Sequence, residues 1–190
     1  MNCNFFLLKN LMIGNLEVIC GPMFSGKSEE LIRRVKRAQI ANQRIQCFKP
    51  AIDNRYSLDH IVSHSHLKME ATTLKTAKEL FDYLEDYTRI IAIDEVQFFD
   101  KDIVDVVMKL VKRSYRVILA GLDLDYKGNA FGPMPELLAL ADEVIKIHAI
   151  CTLCGEKATR TERIIDEDSQ ILIGEQNSYE ARCKSHHLFS

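Results

Sequence analysis

Short apolar runs recur along the chain and alternate with segments that carry apolar residues at helical spacing. The runs lie at residues 16–20, 45–48, 90–93, 117–120 and 144–147. Nearly every position in them is apolar, which is typical of strands covered on both faces of a sheet. Strands that alternate with amphipathic helices predict βαβ units. The expected fold is therefore α/β, with a largely parallel sheet and helices on both faces.

The segments between these runs predict helices that pack on the sheet. Their apolar faces are formed by Leu31, Ile32, Val35 and Ala38 in the first segment, by Ala77, Leu80, Phe81 and Leu84 in the second, and by Ile103, Val106, Val107 and Leu110 in the third. Parallel strands all end at one edge of the sheet, where such folds bind their ligands. Residues that directly follow the strands are therefore expected to carry the chemistry.

After residue 147 the pattern changes to short polar pieces that contain cysteines and have no clear helical period. We expect a second, small domain to begin near His148. The predicted organisation is an N-terminal extension at residues 1–14, an α/β domain at 15–147 and a small domain at 148–190. Met12 lies a few residues before the first apolar run and is an alternative start to Met1.

Composition narrows the choice of partners. The 190 residues, 47% of them hydrophobic, can form one ordinary domain and a small appendage. The net charge of −2 provides no broad positive field, so nucleic acid is not expected as a partner. The sequence contains no apolar stretch of about eighteen residues, so no membrane span is expected. The basic residues of the first helical segment predict a solvated face; they are Arg33, Arg34, Lys36 and Arg37.

The residues between the first strand and the first helix fit G-x-x-x-x-G-K-[ST], the phosphate-binding loop. They are Gly21-Pro22-Met23-Phe24-Ser25-Gly26-Lys27-Ser28. In this motif the glycines let backbone N–H groups face the phosphates, the lysine supplies positive charge and the hydroxyl can ligate Mg²⁺. The strand before and the helix after are the context that the motif needs. The chain is therefore predicted to use a nucleoside triphosphate.

A pair of carboxylates follows the apolar run at residues 90–93. Asp94 is expected to hold Mg²⁺ through water, as the acidic partner of a phosphate loop does. Glu95, one residue later, is expected to point in a different direction from Asp94 and could accept a proton from a nucleophile. The sequence leaves that nucleophile open, because a substrate hydroxyl would make the protein a kinase and water would make it an ATPase.

The six cysteines fall into two groups. Cys3, Cys20 and Cys47 are scattered and are interpreted as structural thiols. The others form a Cys₃His set that matches structural zinc, with the pairs Cys151-x-x-Cys154 and Cys183-x-x-His186. A redox pair or unpaired thiols are the alternatives, and the adjacent His187 could replace His186 as a ligand.

Several motifs in the same order resemble the zinc-containing thymidine kinases, and the resemblance spans the chain from Gly14 to His187. The residues that carry it are the phosphate loop, Asp94-Glu95-Val96-Gln97-Phe98-Phe99, Gly121-Leu122-Asp123-Leu124-Asp125-Tyr126, Phe131-Gly132 and the Cys₃His set. The resemblance implies transfer of the γ-phosphoryl group of ATP to the 5′-hydroxyl of thymidine or deoxyuridine. It also implies a cytoplasmic homotetramer, although a dimer stays open.

The resemblance assigns roles to individual positions. It makes Glu95 the general base, and it places ATP and Mg²⁺ at residues 21–28, Asp53, Asn54, Arg55, Asp94 and Gln97. From charge alone, Asp53 and Arg55 could equally form an ion pair within a loop. The metal ligands that it implies are those of the Cys₃His set.

In this family a loop called the lasso clasps the base, and zinc holds its two ends. The lasso would contain Gln170, Ile171, Leu172, Ile173, Gly174 and Tyr179, and the base pocket would be lined by Met23, Leu122, Tyr126, Phe131 and Thr159. Packing in an edge strand is the alternative for Ile171 and Ile173. Tyr126 stands where many relatives have Phe, so its hydroxyl would need a partner if buried. Loss of zinc is expected to weaken thymidine binding more than ATP binding.

Two other classes of function are compatible with single motifs. A phosphate-loop ATPase or GTPase would drive a partner, but the chain has no N-K-x-D run for guanine. A zinc-ribbon protein would bind nucleic acid, but the segment around the cysteines contains the acidic residues Glu156, Glu162, Asp166, Glu167 and Asp168. The sequence therefore favours the kinase.

Overall fold

The computed structural model describes residues 14–51, 60–62, 68–165 and 178–188. The strands are β1 (Asn15–Cys20), β2 (Ile45–Pro50), β3 (His60–Val62), β4 (Lys68–Glu70), β5 (Thr72–Leu74), β6 (Ile90–Ile93), β7 (Arg116–Gly121), β8 (Glu143–Lys146), β9 (Ala149–Ile150), β10 (Lys157–Ala158), β11 (Arg160–Arg163) and β12 (Tyr179–Arg182). The α-helices are α1 (Lys27–Ile40), α2 (Asp102–Lys112) and α3 (Met134–Leu140), and two 3₁₀ helices span Ala77–Asp82 and Val96–Phe98.

The main body is a six-stranded sheet in the order β5-β2-β6-β7-β1-β8. Every neighbouring pair in it is parallel. All five apolar runs in the sequence become strands of this sheet, which confirms the predicted fold class. The sixth strand, β5, has only three residues and gives too short an apolar signal for its period to be recognised.

Helices cover both faces of the sheet, as predicted. The apolar stripe of α1 packs on one face with alternate residues of the strands, among them Ile19, Ile90 and Ile118. The other face lies under α2, α3 and the 3₁₀ helix Ala77–Asp82. Successive residues of β1 therefore point to different helices, which is why a two-sided strand is apolar at almost every position.

Two expectations about the sheet need correction. Among the residues that the structure describes, β8 is an edge strand that pairs only with β1, and Val144 is 46% exposed, so this strand is not covered on both faces. The segment that begins at Ala77 is a short 3₁₀ helix that ends before Leu84, where the Tyr83 N–H bonds to the carbonyl of Leu80. In both segments the apolar spacing correctly indicated that one side is buried. It did not indicate which elements pack against that side or where the helix ends.

The basic residues of α1 do not all face solvent, which also corrects the sequence analysis. Arg34 is only 9% exposed, and its guanidinium pairs with Glu17 of β1, with Glu30 and with Glu143 of β8. Arg116 pairs with the same Glu17 carboxylate at 2.5 Å. Burial favours the neutral form of Glu17, but the hydrogen bonds and charges of Arg116 and Arg34 outweigh it and lower the pKa of this carboxyl group.

The C-terminal segment forms two small antiparallel pairs, β9 with β10 and β11 with β12. We call residues 148–165 and 178–188 the C-terminal module. Its buried cluster consists of only Ala149, Cys151, Ala158 and Ala181, with Phe24 and Cys183 packed against it. Among the described residues, no helix has the length and apolar character needed to cross a membrane.

Candidate active site

The phosphate loop lies between β1 and α1, and its backbone conformation explains its glycines. Gly21 has φ 144°, and an added Cβ would lie 2.2 Å from the carbonyl oxygen of Ile147. Gly26 has φ 87° and immediately precedes Lys27, the first residue of α1. The helix N-terminus therefore opens into the loop, where the N–H groups of its first turn and its dipole favour phosphate.

Side chains of the loop bond to the loop itself. The Lys27 ammonium donates to the carbonyl oxygen of Pro22 at 2.8 Å, and the Ser25 hydroxyl donates to the same oxygen at 2.8 Å. Lys27 is only 9% exposed, so its charge is held inside the curve of the loop. Ser28 follows in the first turn of α1 and is partly exposed. The ammonium of Lys27 therefore lies against the loop, and Ser28 lies at the start of the helix beside it.

The carboxylate pair lies at the same edge of the sheet. Asp94 and Glu95 follow β6, which is parallel to β7 and through it to β1, so all three strands end on the side of the phosphate loop. Asp94 is 5% exposed, and its carboxylate accepts the N–H of Glu95 at 3.0 Å. Glu95 is partly exposed and adopts a left-handed conformation with φ 51°. Such a conformation in a residue other than glycine needs support from its surroundings.

Gln97 provides part of that support. Its side-chain amide donates to the Glu95 carboxylate at 2.6 Å and accepts the N–H of Leu122 at 3.0 Å. Gln97 is 2% exposed, and two glycines make room for it. An added Cβ would lie 2.7 Å from the Gln97 amide oxygen at Gly121 and 2.4 Å from its backbone carbonyl oxygen at Gly132. The amide thus connects the carboxylate after β6 to the chain after β7.

The segment after β7 forms a compact loop beside these residues. The Asp125 carboxylate accepts the N–H groups of Lys127 and Asn129, at 3.0 and 2.9 Å. Phe131 is 7% exposed, and its ring meets that of Phe98 edge to face at 5.6 Å. The aromatic side chain of Phe131 is thereby fixed close to the 3₁₀ helix that follows Glu95.

Tyr126 and Tyr179 both contact an arginine that the sequence did not single out. The Arg163 guanidinium lies 3.7 Å from the centre of the Tyr126 ring and donates to the Tyr179 hydroxyl at 2.8 Å. Arg163 is 8% exposed. The Tyr126 hydroxyl is buried and bonds to none of the described residues. No local pattern could have revealed Arg163, because one arginine in a short polar strand is ordinary.

Four side chains of the C-terminal module form a compact group of metal ligands. The ligand atoms of Cys151, Cys154, Cys183 and His186 all lie within 4.8 Å of one another. The Cys154 and Cys183 sulfurs are 3.8 Å apart, close to the roughly 3.8 Å that tetrahedral zinc with bonds of about 2.3 Å requires. The Nδ1 atom of His186 lies 3.2 Å from the Cys183 sulfur and 3.8 Å from that of Cys151. These residues fit a closed zinc site.

The pKa of the Cys151 thiol agrees with this fit. Burial opposes ionisation of Cys151, but backbone hydrogen bonds from Cys183, Leu153 and Cys154 outweigh it and lower the pKa of the Cys151 thiol to about 6. A thiolate is the form that binds metal. At Cys154 a backbone hydrogen bond from Glu156 favours the thiolate, but burial and the hydrogen bonds with the Cys151 and Cys183 thiols outweigh it and raise the pKa. His187 is not part of the group, since its Nε2 atom bonds to the carbonyl oxygen of Tyr126 at 2.9 Å. The structure therefore selects His186 of the two histidines.

Several predicted site residues lie outside the described residues. They are Asp53, Asn54, Arg55, Gln170, Ile171, Leu172, Ile173 and Gly174. Thr159 is described on the chain between β10 and β11, where its hydroxyl accepts from Arg160 at 3.2 Å. Thr161, two residues later, was not predicted, although it is 4% exposed and its hydroxyl accepts the N–H of Met23 in the phosphate loop at 3.0 Å.

Fold and site together define a phosphate-loop α/β protein with carboxylates at the ligand-binding edge and a Cys₃His group suited to zinc. A family model described as thymidine kinase matches residues 14–187. The match covers nearly the whole chain, so the protein belongs to the thymidine kinase family. The resemblance found in its motifs is confirmed, and membership makes the protein a nucleoside kinase, hence a transferase.

Proposed function

We propose that the protein transfers the γ-phosphoryl group of ATP to the 5′-hydroxyl of thymidine, with deoxyuridine as the alternative acceptor. The observation that carries this proposal is the position of the phosphate loop and of Glu95 at one edge of the sheet, in a chain of the thymidine kinase family. A triphosphate cradled by the loop and an acceptor hydroxyl near Glu95 would meet at this edge.

The residues of the edge supply what phosphoryl transfer needs. Within residues 21–28, Pro22 has no N–H and that of Met23 donates to Thr161, so the remaining backbone N–H groups and the Lys27 ammonium would hold and neutralise the phosphates. Ser28, and Asp94 through water, would hold Mg²⁺, which would supply positive charge to offset that of the phosphates. Glu95 would accept the proton of the 5′-hydroxyl. Contacts of Asp53, Asn54 and Arg55 with the phosphates and Mg²⁺ stay predictions.

Gln97 has a second candidate role beside its predicted contact with ATP or Mg²⁺. Its amide bonds to the Glu95 carboxylate at 2.6 Å and is itself held by the N–H of Leu122. A carboxylate fixed in this way loses less freedom when it meets the acceptor hydroxyl. We therefore assign Gln97 to the positioning of Glu95, while its contact with ATP or Mg²⁺ stays a prediction.

The nucleoside would bind between the sheet edge and the C-terminal module. Tyr126, Phe131, Thr159 and Tyr179 are proposed to line the base pocket, together with the lasso residues 170–174. The Arg163 guanidinium is stacked on the Tyr126 ring and bonded to Tyr179, so it connects two of these side chains. Zinc at the Cys₃His group would have a structural role, because four protein ligands leave no open position for chemistry.

The higher organisation is also a proposal. We propose a cytoplasmic homotetramer without nucleic acid or membrane partners, with an α/β domain at residues 15–147 and a zinc-binding lasso domain at 148–190. Light scattering on the purified holoenzyme distinguishes a tetramer from a dimer. Limited proteolysis would test the boundary, since cleavage near residue 148 should release an intact α/β fragment.

The activity is tested by measuring ATP consumption with and without thymidine. A kinase consumes ATP only when the nucleoside is present and forms thymidine monophosphate in equal amount. Deoxyuridine and a purine nucleoside serve as parallel acceptors. ATP consumption that does not depend on any nucleoside would identify an ATPase and refute the proposal.

A further inference from the structure

The phosphate loop is attached to the C-terminal module at two adjacent residues. The N–H of Met23 donates to the Thr161 hydroxyl at 3.0 Å. The side chain of Phe24 packs against the buried cluster of the module, which contains the metal ligand Cys151. One side of the phosphate loop is thus in contact with the C-terminal module, which contains the Cys₃His group.

The bond from Met23 removes one N–H of the loop from phosphate binding. Thr161 is 4% exposed and lies in β11, opposite Ala181 of β12. Its hydroxyl is therefore held by a strand pair that leads directly to Cys183. The first half of the loop is anchored to the module, and the second half, which begins α1, is left to face the phosphates.

Phe24 has a backbone conformation that requires such an anchor. Its φ is 64°, in the left-handed region that residues other than glycine seldom adopt. A conformation of this kind persists only where the surroundings hold the residue in place. The surroundings here are small side chains, so the packing of Phe24 depends on the module keeping its shape, and the four metal ligands are what can fix that shape.

Ile147, just before the C-terminal module, also contacts the start of the phosphate loop. The Ile147 N–H donates to the carbonyl of Cys20 at 2.8 Å, and its own carbonyl lies where a side chain on Gly21 would be. The start and the middle of the phosphate loop therefore both touch residues that connect to the cysteine pair. A loosened module would release both contacts.

We propose that Phe24 and Thr161 are positioning residues that couple the metal site to the triphosphate site, so that zinc and ATP each stabilise the binding of the other. This inference rests on the proposed function for the identity of the nucleotide. Coupling between two binding equilibria is reciprocal. Loss of zinc should then weaken ATP binding as well as thymidine binding, which goes beyond the effect expected from the lasso alone.

The test measures how fast the zinc-loaded protein releases zinc to a coloured chelator, with and without a non-hydrolysable ATP analogue and Mg²⁺. We expect the analogue to slow release about fivefold or more. Thr161→Val and Phe24→Ala should lose most of this protection, whereas Thr161→Ser keeps the hydroxyl and should retain it. Thr88→Val is the matched control, because this buried hydroxyl donates to the Gln46 side chain, which belongs to neither site.

Calorimetry of analogue binding separates the possible failures. If the analogue binds but does not slow zinc release, the coupling does not exist and the proposal is wrong, while the proposed kinase stands. If Thr161→Val and Phe24→Ala fold, as thermal melts would report, and keep full protection, the coupling does not pass through these residues. If the analogue does not bind the wild-type protein at all, the kinase and the coupling are both refuted.

Discussion

The sheet edge and the C-terminal module obtain their rigidity from different sources. The phosphate loop and Asp94 extend from strands whose side chains belong to two large buried clusters, with helices on both faces. The module has a buried cluster of four small side chains, and its ligand group is partly exposed. Hydrophobic burial can hold the first region in place, whereas the second needs a cross-link. The comparison predicts that changes at the sheet edge act on chemistry and changes in the module act on binding.

The largest effect is expected from Glu95→Gln. The variant keeps the shape of the side chain but cannot accept a proton, so turnover should fall roughly 10²–10⁴-fold while ATP and thymidine still bind. Steady-state kinetics with both substrates measure this, and exposed Glu85→Gln is the matched control. Turnover within a few-fold of wild type would remove Glu95 from its role.

Lys27→Ala should come next. The ammonium lies inside the phosphate loop, so its loss should reduce kcat/KM for ATP about 10²–10³-fold by removing charge stabilisation. Lys27 contacts the loop and is outside the apolar clusters, so thermal melts should change little. Lys36→Ala, an exposed residue of the same helix, is the control. An active Lys27→Ala protein would show that the loop does not bind ATP in the manner proposed.

Glu17→Gln tests the sheet without touching the module. The change leaves Arg34 buried beside Glu30 and Glu143 but removes its charged partner on β1, and should cost roughly 2–4 kcal/mol of unfolding free energy at pH 7. The folded pKa of Glu17 is lowered from 4.5, so this stabilisation is present above pH 4.5 and is lost as pH falls through the lower folded pKa. Denaturant melts of both proteins across this range should therefore converge in acid. A constant difference at all pH values would contradict the assignment.

Cys183→Ser should have the smallest effect on the stability and chemistry of the sheet edge, and should act mainly on metal and thymidine binding by the module. One ligand is lost, so zinc content should fall from about one per chain, and the thymidine KM should rise about tenfold as the lasso loses its closure. Elemental analysis and kinetics measure the two changes, with the exposed neighbour Ser185→Ala as control. Normal thymidine binding by metal-free protein would refute the zinc-held lasso.

Local patterns were sufficient for much of the fold. β1, β2, β6, β7 and β8 all follow from apolar runs, because a strand covered on both faces must be apolar at successive positions. The phosphate loop was recognisable because its residue types at fixed spacing meet one requirement, that backbone N–H groups and a lysine face phosphate. The Cys₃His set was recognisable for the same reason, since metal coordination restricts residue type and spacing.

Several of the missed features depend on residues that are distant in sequence. Arg34 looked like part of a solvated face, but Glu17 and Glu143 lie beside it only once β1 and β8 pair. Val144 looked buried, but its strand is at the edge. The periodicity of apolar residues indicates which face of an element is buried. It gives no information on which residues of other elements pack against that face.

The sequence by itself determined five strands of the main sheet, the phosphate loop, the carboxylate pair and the four metal ligands, because short-range geometry restricts each of them. Only the tertiary structure decided that Gln97 holds Glu95, that Arg163 connects Tyr126 to Tyr179, and that Thr161 anchors Met23. All of these contacts use common residue types. Gln97 is close to Glu95 in sequence, but its amide is held by the distant N–H of Leu122, and the other contacts join residues that are far apart in the chain. Their meeting is fixed by the packing of the sheet and of the module, which no local pattern records.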